Sequence, residues 1–199
     1  MIKTKQDLKF YIAEDAKRNG CYGFFRYVAL LLMGYESACA FRYIKCMRKC
    51  EYHLNNAKNS IWHKAWSIYY KLKLSRLGMR YNIRIRPNTC GYGLRLMHLS
   101  GGGGILLNIK SAGNYCGFNA GVLLGNIDNA DNRPILGDYV AFGPGAKAFG
   151  KLHIGNNVFV APNAVVTKDV PENAIVGGIP AKILKFKTEN KLKLQYERR

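Results

Sequence analysis

A six-residue repeat in the second half of the sequence limits its possible folds more than any other feature. Apolar residues recur at intervals of six, and a second apolar series runs two positions ahead of most of them. The two series are Leu136, Phe142, Ala148, Ile154, Val160 and Val166, and Val140, Ala146, Leu152, Val158 and Ala164. A period of six is neither that of an amphipathic helix nor that of a single strand.

A small residue follows the repeating position in most hexads, as at Gly137, Gly143, Gly155 and Ala161. Small residues permit a tight corner after a short strand, so each hexad is interpreted as one strand and one corner. When such units stack, their backbone groups hydrogen-bond to one another and their aliphatic side chains form a continuous buried core. We therefore predict a mainly β fold, a parallel β-helix.

The same register continues upstream through Ala112, Phe118 and Leu124. Twelve residues, or two hexads, separate Leu124 from Leu136, and the segment 126–134 between them is polar. Polar residues rich in Asn and Asp are typical of loops, so we expect this segment to leave the coil.

The first part of the chain has helical spacing instead. Apolar residues recur every three or four positions over 7–19, 24–33, 36–54 and 60–77, which predicts four helices. The apolar run 24–33 is too short for a membrane span and carries Arg26, so we expect a buried helix rather than a signal peptide.

An aromatic stripe in the last of these segments is expected to pack between helices, as aromatic residues at helical spacing usually do. The stripe consists of the aromatic Trp62, Trp66, Tyr69 and Tyr70 together with Leu72. The predicted organisation is a helical region over 1–78, a β-helix domain over 79–184 and a basic C-terminal tail over 185–199.

The charge of the chain points to an anionic partner. Residues 1–100 hold 19 Lys and Arg against 5 Asp and Glu, a net of +14, and residues 101–199 hold 12 against 7, a net of +5. Nucleic acid, an anionic membrane, a polyanionic glycan and a phosphorylated cofactor all remain compatible with this excess. The six cysteines form no CxxC pair, which favours reduced thiols and a cytoplasmic location.

Four motifs in the repeat region carry a family resemblance. In order, they are GYGLRLMHLSGGGGILLN, NAGVLLG, PILGDYVAFGPGAKAFG and GGIPAK. Together with the hexads they resemble the hexapeptide-repeat acyltransferases, whose fold is a left-handed parallel β-helix. The order is that of serine acetyltransferases, and the match is closer still to their shorter relatives, the capsule or surface-polysaccharide O-acetyltransferases.

This resemblance implies an O-acetyltransferase that uses acetyl-CoA and no metal. It implies a homotrimer with the cofactor between neighbouring β-helices. His98 falls at the family's general base, which takes the proton of an acceptor hydroxyl as its oxygen attacks the thioester. Neutral imidazole suits this task, because it can accept and return a proton near physiological pH.

The acidic residues of the family motif are missing here. Met97 stands where serine acetyltransferases have an aspartate before the histidine, and residues 52–127 contain no Asp or Glu. We therefore expect His98 to be oriented by a backbone carbonyl, by water, or by a carboxylate from elsewhere such as Asp15 or Asp128.

The resemblance also implies an acceptor site formed by Asp15, Asn119 and Arg133. The family's acceptor-binding arginine is Asn132 here, with Arg133 one position along. Loss of these amino-acid contacts favours a carbohydrate hydroxyl on a surface polysaccharide as acceptor, and L-serine is the alternative.

Eight residues match cofactor-binding positions of the family, and Lys168 and Lys182 among them suit phosphate groups electrostatically. The eight are Gly125, Asn126, Pro144, Ala146, Pro162, Lys168, Pro180 and Lys182. A backbone N–H near Gly125 is the expected oxyanion donor.

Three other hypotheses are less favoured. An acyl-enzyme route would use Ser100 or Cys116, but neither lies in a G-x-S-x-G motif. A zinc-dependent carbonic anhydrase would need three histidine ligands, and no His-x4-His pair exists. No recognised nucleic-acid-binding motif accompanies the positive charge, which can equally serve an anionic membrane surface.

Overall fold

The computed structural model describes residues 1–126, 129 and 131–189. Four helices come first: α1 (Lys5–Arg18), α2 (Phe24–Leu32), α3 (Glu36–Asn55) and α4 (Ile61–Tyr81). They coincide with the four segments that the apolar spacing predicted. Helix α4 continues three residues beyond the expected boundary at 78, because Asn82, with a φ of 54°, ends it by donating its N–H to the Gly78 carbonyl.

Short strands then wind into a parallel β-solenoid of three faces. The first face contains β1 (Ile83–Ile85), β3 (Ile105–Leu107), β6 (Leu123–Gly125), β9 (Lys147–Phe149) and β12 (Val165–Val166). The second contains β4 (Ser111–Ala112), β7 (Ile135–Leu136) and β10 (His153–Ile154). The third contains β2 (Arg95–Met97), β5 (Gly117–Asn119), β8 (Ala141–Phe142), β11 (Phe159–Val160) and β13 (Ala174–Gly177), with β14 (Lys182–Phe186) added antiparallel at its end.

The strand register confirms the interpretation of the hexads. Leu136 pairs with Ile154, and Phe142 pairs with Val160, so residues 18 positions apart stack in neighbouring coils. Three successive hexads therefore form one coil, and each hexad contributes a strand to a different face. Both apolar series are buried throughout, with at most 5% of any member exposed.

The polar segment 126–134 is an insertion into this register. Phe118 pairs with Phe142 and Leu124 with Ala148, 24 positions apart instead of 18. Six extra residues are thus accommodated between β6 and β7, as predicted for a loop that leaves the coil.

Two expectations about helix burial hold only in part. Helix α2 has no buried residue, and Phe24, Phe25 and Leu32 are 71%, 86% and 83% exposed. The stripe on α4 also faces outward at Trp62 and Leu72, which are 74% and 60% exposed. The spacing identified the apolar faces, but only part of each is covered by the residues that the structure describes: Tyr27, Leu30 and Leu31 of α2 and Tyr70 of α4 pack against buried clusters.

A helix that crosses a membrane needs about 20 consecutive, mainly apolar residues. In the part of the chain that the structure describes, no helix alone is long and apolar enough to cross a bilayer. The pair α2 and α3, bent by 118° at the turn between them, passes the same criteria by length and composition.

A buried cluster of charged side chains connects the helices to the first coil. Arg48 of α3 is completely buried and donates to Asp15 of α1 at 2.8 Å and to Glu51 at 3.1 Å. It also donates to the Cys90 and Gly91 carbonyls, at 2.9 and 2.5 Å. This cluster fixes the chain shortly before β2, the strand that leads to His98.

Candidate active site

His98 lies at a corner of the first coil, directly after β2. Its φ is 58°, a left-handed conformation, and its carbonyl accepts the N–H of Gly101 at 3.0 Å. The tight turn ends the strand and directs the ring outward, where 65% of the side chain is exposed. The imidazole is therefore accessible to a reactant.

Glu36, the first residue of α3, approaches the same corner. Its Oε1 accepts the backbone N–H of His98 at 3.2 Å and lies 3.8 Å from His98 Nδ1, and its Oε2 accepts the Ser100 hydroxyl at 3.0 Å. Sequence reasoning missed this carboxylate, because it lies 62 residues before His98 and outside every motif. The available signal was an acidic residue at a helix start, just after the break at Gly34.

A cavity of about 110 Å³ opens beside the ring. It brings together an imidazole, a carboxylate and a guanidinium, on a wall formed by the residue that caps α1, the start of α3, and β2 with the corner after it. The lining residues are Asn19, Glu36, Ser37, Arg95, Leu96, Met97 and His98.

Asp15, predicted to contact the acceptor or orient His98, is instead fully buried. Its carboxylate accepts from Arg48 Nε and, at 2.9 Å, from the Leu94 N–H. Burial raises the pKa of Asp15, and the Arg48 guanidinium opposes that shift. This geometry favours a structural role for Asp15. Contact between Asp15 and an acceptor stays a prediction, and the burial of the carboxylate does not support it.

The other two predicted acceptor residues lie in later coils. Asn119 pairs with Met97 across neighbouring strands, so it is adjacent to the base, but its amide donates to the Phe142 carbonyl at 2.7 Å. Arg133 lies in the connection between β6 and β7. Asp128, the other carboxylate proposed to orient His98, lies outside the described residues.

Several predicted cofactor positions follow one edge of the solenoid. Gly121 and Gly145, at corresponding corners of successive coils, approach so closely that a Cβ on Gly121 would lie 3.1 Å from the Gly145 Cα. The exposed Pro144 follows in the same corner, and its carbonyl accepts the N–H of Asn163, which adjoins Pro162. At Gly121 and Gly145 this edge therefore carries no side chain.

The remaining cofactor positions divide between the ends of this edge and the core. Gly125 ends β6, and Asn126 accepts a hydrogen bond from Asn108 at 2.7 Å. Lys168, Pro180 and Lys182 are exposed in and after the last coil. The side chain of Ala146 is completely buried in the core, and its N–H and carbonyl bond to Gly143 and Leu123, so its contact with a cofactor stays a prediction that this geometry does not support.

The candidate nucleophiles of an acyl-enzyme route differ in accessibility. Cys116 is 1% exposed and donates to the Gly137 carbonyl at 3.3 Å, and burial raises the pKa of its thiol above the ordinary range. A buried, protonated thiol is a poor nucleophile. Ser100 is exposed, and its hydroxyl is bonded to Glu36.

The other three histidines lie away from the cavity. His53 and His63 meet at 3.0 Å between their Nδ1 atoms in an aromatic cluster of α3 and α4, and His153 is exposed on β10. Over residues 1–126, 129 and 131–189, no three His, Cys, Asp or Glu side chains are grouped so as to hold a metal ion.

No protein-family model matches the chain. It is 33% identical over 105 residues to serine acetyltransferase of Synechococcus elongatus, which covers 51% of this chain and 42% of that protein. It is 31% identical over 148 residues to serine acetyltransferase of Buchnera aphidicola subsp. Schizaphis graminum, covering 69% of this chain and 55% of that protein. The chain thus spans about half the length of these relatives.

Solved structures extend the likeness to nearly the whole chain. Neisseria gonorrhoeae serine acetyltransferase superimposes with a TM-score of 0.68 at 21% identity, over 96% of this chain and 70% of that one. Serine acetyltransferase of Brucella abortus in complex with coenzyme A gives 0.65 at 25% identity, over 92% and 68%. The chain is therefore a serine acetyltransferase-like protein, similar to these enzymes in sequence over half or more of its length and built on the same helical region and hexapeptide-repeat solenoid.

Proposed function

We propose that this chain is an acetyl-CoA-dependent O-acetyltransferase with His98 as its general base. The observation that carries this proposal is the exposed imidazole of His98 at the wall of a cavity that also contains Glu36 and Arg95. The similarity to serine acetyltransferases supplies the reaction class.

The reaction needs no covalent enzyme intermediate. His98 takes the hydroxyl proton as the acceptor oxygen forms an ester bond to the acetyl carbon. The carbon–sulfur bond of the thioester then breaks, and the departing thiolate receives the proton back from the imidazolium. Coenzyme A leaves as the free thiol. A backbone N–H near Gly125 is our candidate donor to the oxyanion.

L-Serine is our first candidate acceptor. The relatives named above are serine acetyltransferases, and Arg95 on the cavity wall offers a planar guanidinium suited to a carboxylate. A sugar hydroxyl of a surface polysaccharide or its precursor is the second candidate. It is favoured by Met97 and Asn132, which stand where serine acetyltransferases have an aspartate and an arginine.

The donor would lie along the glycine-rich edge of the solenoid. Pro144 and Pro162 flank this edge, and Lys168 and Lys182 supply positive charge beyond it for phosphate groups. Coenzyme A is bound in the Brucella abortus relative, which supports this class of donor. We propose a cytoplasmic homotrimer that binds the cofactor between neighbouring solenoids.

An anionic membrane surface is a further proposed partner. Helices α2 and α4 expose large apolar side chains, and neither contains an Asp or Glu. Apolar and basic side chains together are typical of helices that bind the membrane interface.

The test is acetyl-CoA turnover, followed by release of free thiol, with L-serine against a panel of sugars and oligosaccharides. We expect turnover with one acceptor class, and a fall in kcat of about 10²- to 10⁴-fold in His98→Ala. The matched control is His153→Ala, which removes an exposed histidine from β10 and should keep full activity.

The outcomes separate the parts of the proposal. Turnover of L-serine supports the first acceptor, and turnover of sugars alone supports the second. An unchanged rate in His98→Ala would contradict the assignment of the base. Failure of the wild type to bind acetyl-CoA would contradict the enzyme class.

A further inference from the structure

We propose that Glu36 is the positioning carboxylate of His98, supplied by the helical region rather than by the solenoid. This inference rests on the proposed function, because it concerns the proposed base. It explains how the chain can work without the aspartates that it lacks around His98.

The contacts of Glu36 span the whole corner. Oε1 accepts the His98 N–H at 3.2 Å, and Oε2 accepts the Ser100 hydroxyl at 3.0 Å. One carboxylate thus ties α3 to both the residue that carries the imidazole and the turn after it. The orientation of the ring relative to the cavity depends on this attachment.

The position of the carboxylate also selects the histidine tautomer. Oε1 lies 3.8 Å from Nδ1, close enough for its charge to act on that ring nitrogen. A proton on Nδ1 then faces Glu36 and leaves the Nε2 lone pair for the acceptor hydroxyl. The negative charge further stabilises the imidazolium that forms during transfer.

No other carboxylate is equally placed among the residues described. Glu36 is the one acidic side chain that lines the cavity. Residues 52–127 contain no Asp or Glu, so the coil that carries His98 cannot provide one. Asp15 is buried against Arg48.

The direct test is 15N NMR of the histidine side chains in Glu36→Gln, at a pH where imidazole is neutral. The protein has four histidines, and loss of one signal in His98→Ala assigns His98. We expect the Nδ1–H tautomer to dominate in the wild type and the Nε2–H tautomer to gain population in Glu36→Gln. An identical tautomer distribution in both would overturn the proposal.

A matched variant controls for loss of charge. Glu172→Gln removes an exposed carboxylate from the last coil and should leave the His98 signals unchanged. Glu36→Asp keeps the charge on a shorter side chain, so it should retain more of the Nδ1–H tautomer than Glu36→Gln. Equal effects of Glu36→Asp and Glu36→Gln would point to packing at the helix start instead.

Kinetics provide the second measurement. We expect Glu36→Gln to lower kcat by about 10- to 100-fold, with partial recovery in Glu36→Asp and little change in the KM for acetyl-CoA. A rise in KM without loss of kcat would contradict a positioning role. The NMR result does not depend on turnover. If no acceptor is found, the proposed function is weakened, but the tautomer measurement still supports or contradicts the role of Glu36.

Discussion

At the scale of single residues, corner glycines leave no space for a side chain. A Cβ on Gly155 would lie 2.6 Å from the backbone nitrogen of Glu172 in the next coil, where only a backbone shift can relieve the contact. We predict that Gly155→Ala lowers the free energy of unfolding by about 1–3 kcal/mol, measured by urea denaturation.

The control for this prediction is a glycine in an ordinary environment. A Cβ on Gly117 would lie 3.6 Å from the Met97 methyl carbon, a normal van der Waals contact. Gly117→Ala should therefore change the free energy of unfolding by less than about 0.5 kcal/mol. Equal losses in the two variants would show that steric crowding at the corner is not the cause.

The sequence predicted the residues of the site unevenly. His98 could be identified because it lies inside a contiguous motif, and its exposed position beside the cavity agrees with that role. Glu36 could not, because its contact with the corner depends on how α3 docks against the first coil. Asp15 matched a motif but lies in a buried ion pair, which only its three-dimensional partner Arg48 reveals.

At the scale of elements, α1 is fastened to the solenoid by a charged hydrogen bond. The Tyr115 hydroxyl donates to Glu14 Oε2 at 2.8 Å, and Lys17 donates to the same carboxylate. Burial alone would raise the pKa of Glu14, but these two hydrogen bonds hold it below its ordinary value. The bond should therefore stabilise the fold mainly while Glu14 is ionised.

We predict that Tyr115→Phe lowers the free energy of unfolding by about 1–2 kcal/mol at pH 7. Because the folded pKa of Glu14 is depressed, its stabilising contribution is present above the unfolded value near ~4.3 and is lost as pH falls through the folded pKa. The cost of Tyr115→Phe should thus shrink in acid, which urea denaturation at pH 7 and pH 3 would measure. A double-mutant cycle with Glu14→Gln isolates the pair, and an equal cost at both pH values would refute the assignment.

The order of the elements was far easier to predict than their exposure. Spacing of apolar residues defined α1 to α4 and the solenoid coils, because periodicity depends on local geometry. Exposure depends on what covers a face, which the spacing does not encode. Helix α2 shows the difference, since Tyr27, Leu30 and Leu31 pack against a buried cluster, whereas Phe24, Phe25 and Leu32 stay exposed among the described residues.

At the scale of the whole molecule, the charge and the uncovered apolar surface occur in the same region. Helix α4 carries five cations and no acid, namely Lys64, Lys71, Lys73, Arg76 and Arg80. Two copies of this helix would repel each other, so a face-to-face contact between equivalent α4 helices is unfavourable. An anionic surface satisfies both the charge and the exposed aromatic rings.

The two tryptophans of the protein, Trp62 and Trp66, both lie on α4 and are 74% and 47% exposed. Their fluorescence therefore reports on this face alone. We predict that vesicles containing phosphatidylglycerol shift the emission to shorter wavelength, whereas phosphatidylcholine vesicles do not. Added salt should weaken the shift, because the attraction to anionic lipid is screened.

A matched pair of charge reversals identifies the face that binds. Lys64→Glu on α4 should weaken vesicle binding, whereas Lys151→Glu, an exposed position on the solenoid with the same change in net charge, should not. Equal weakening would mean that overall charge, rather than α4, drives the association. A blue shift that grows with protein concentration in the absence of lipid would instead assign the tryptophan face to contact between subunits. Either result would contradict the membrane as the partner of α4 while leaving the chemistry at His98 untouched, because the cavity and the tryptophan face share no residue.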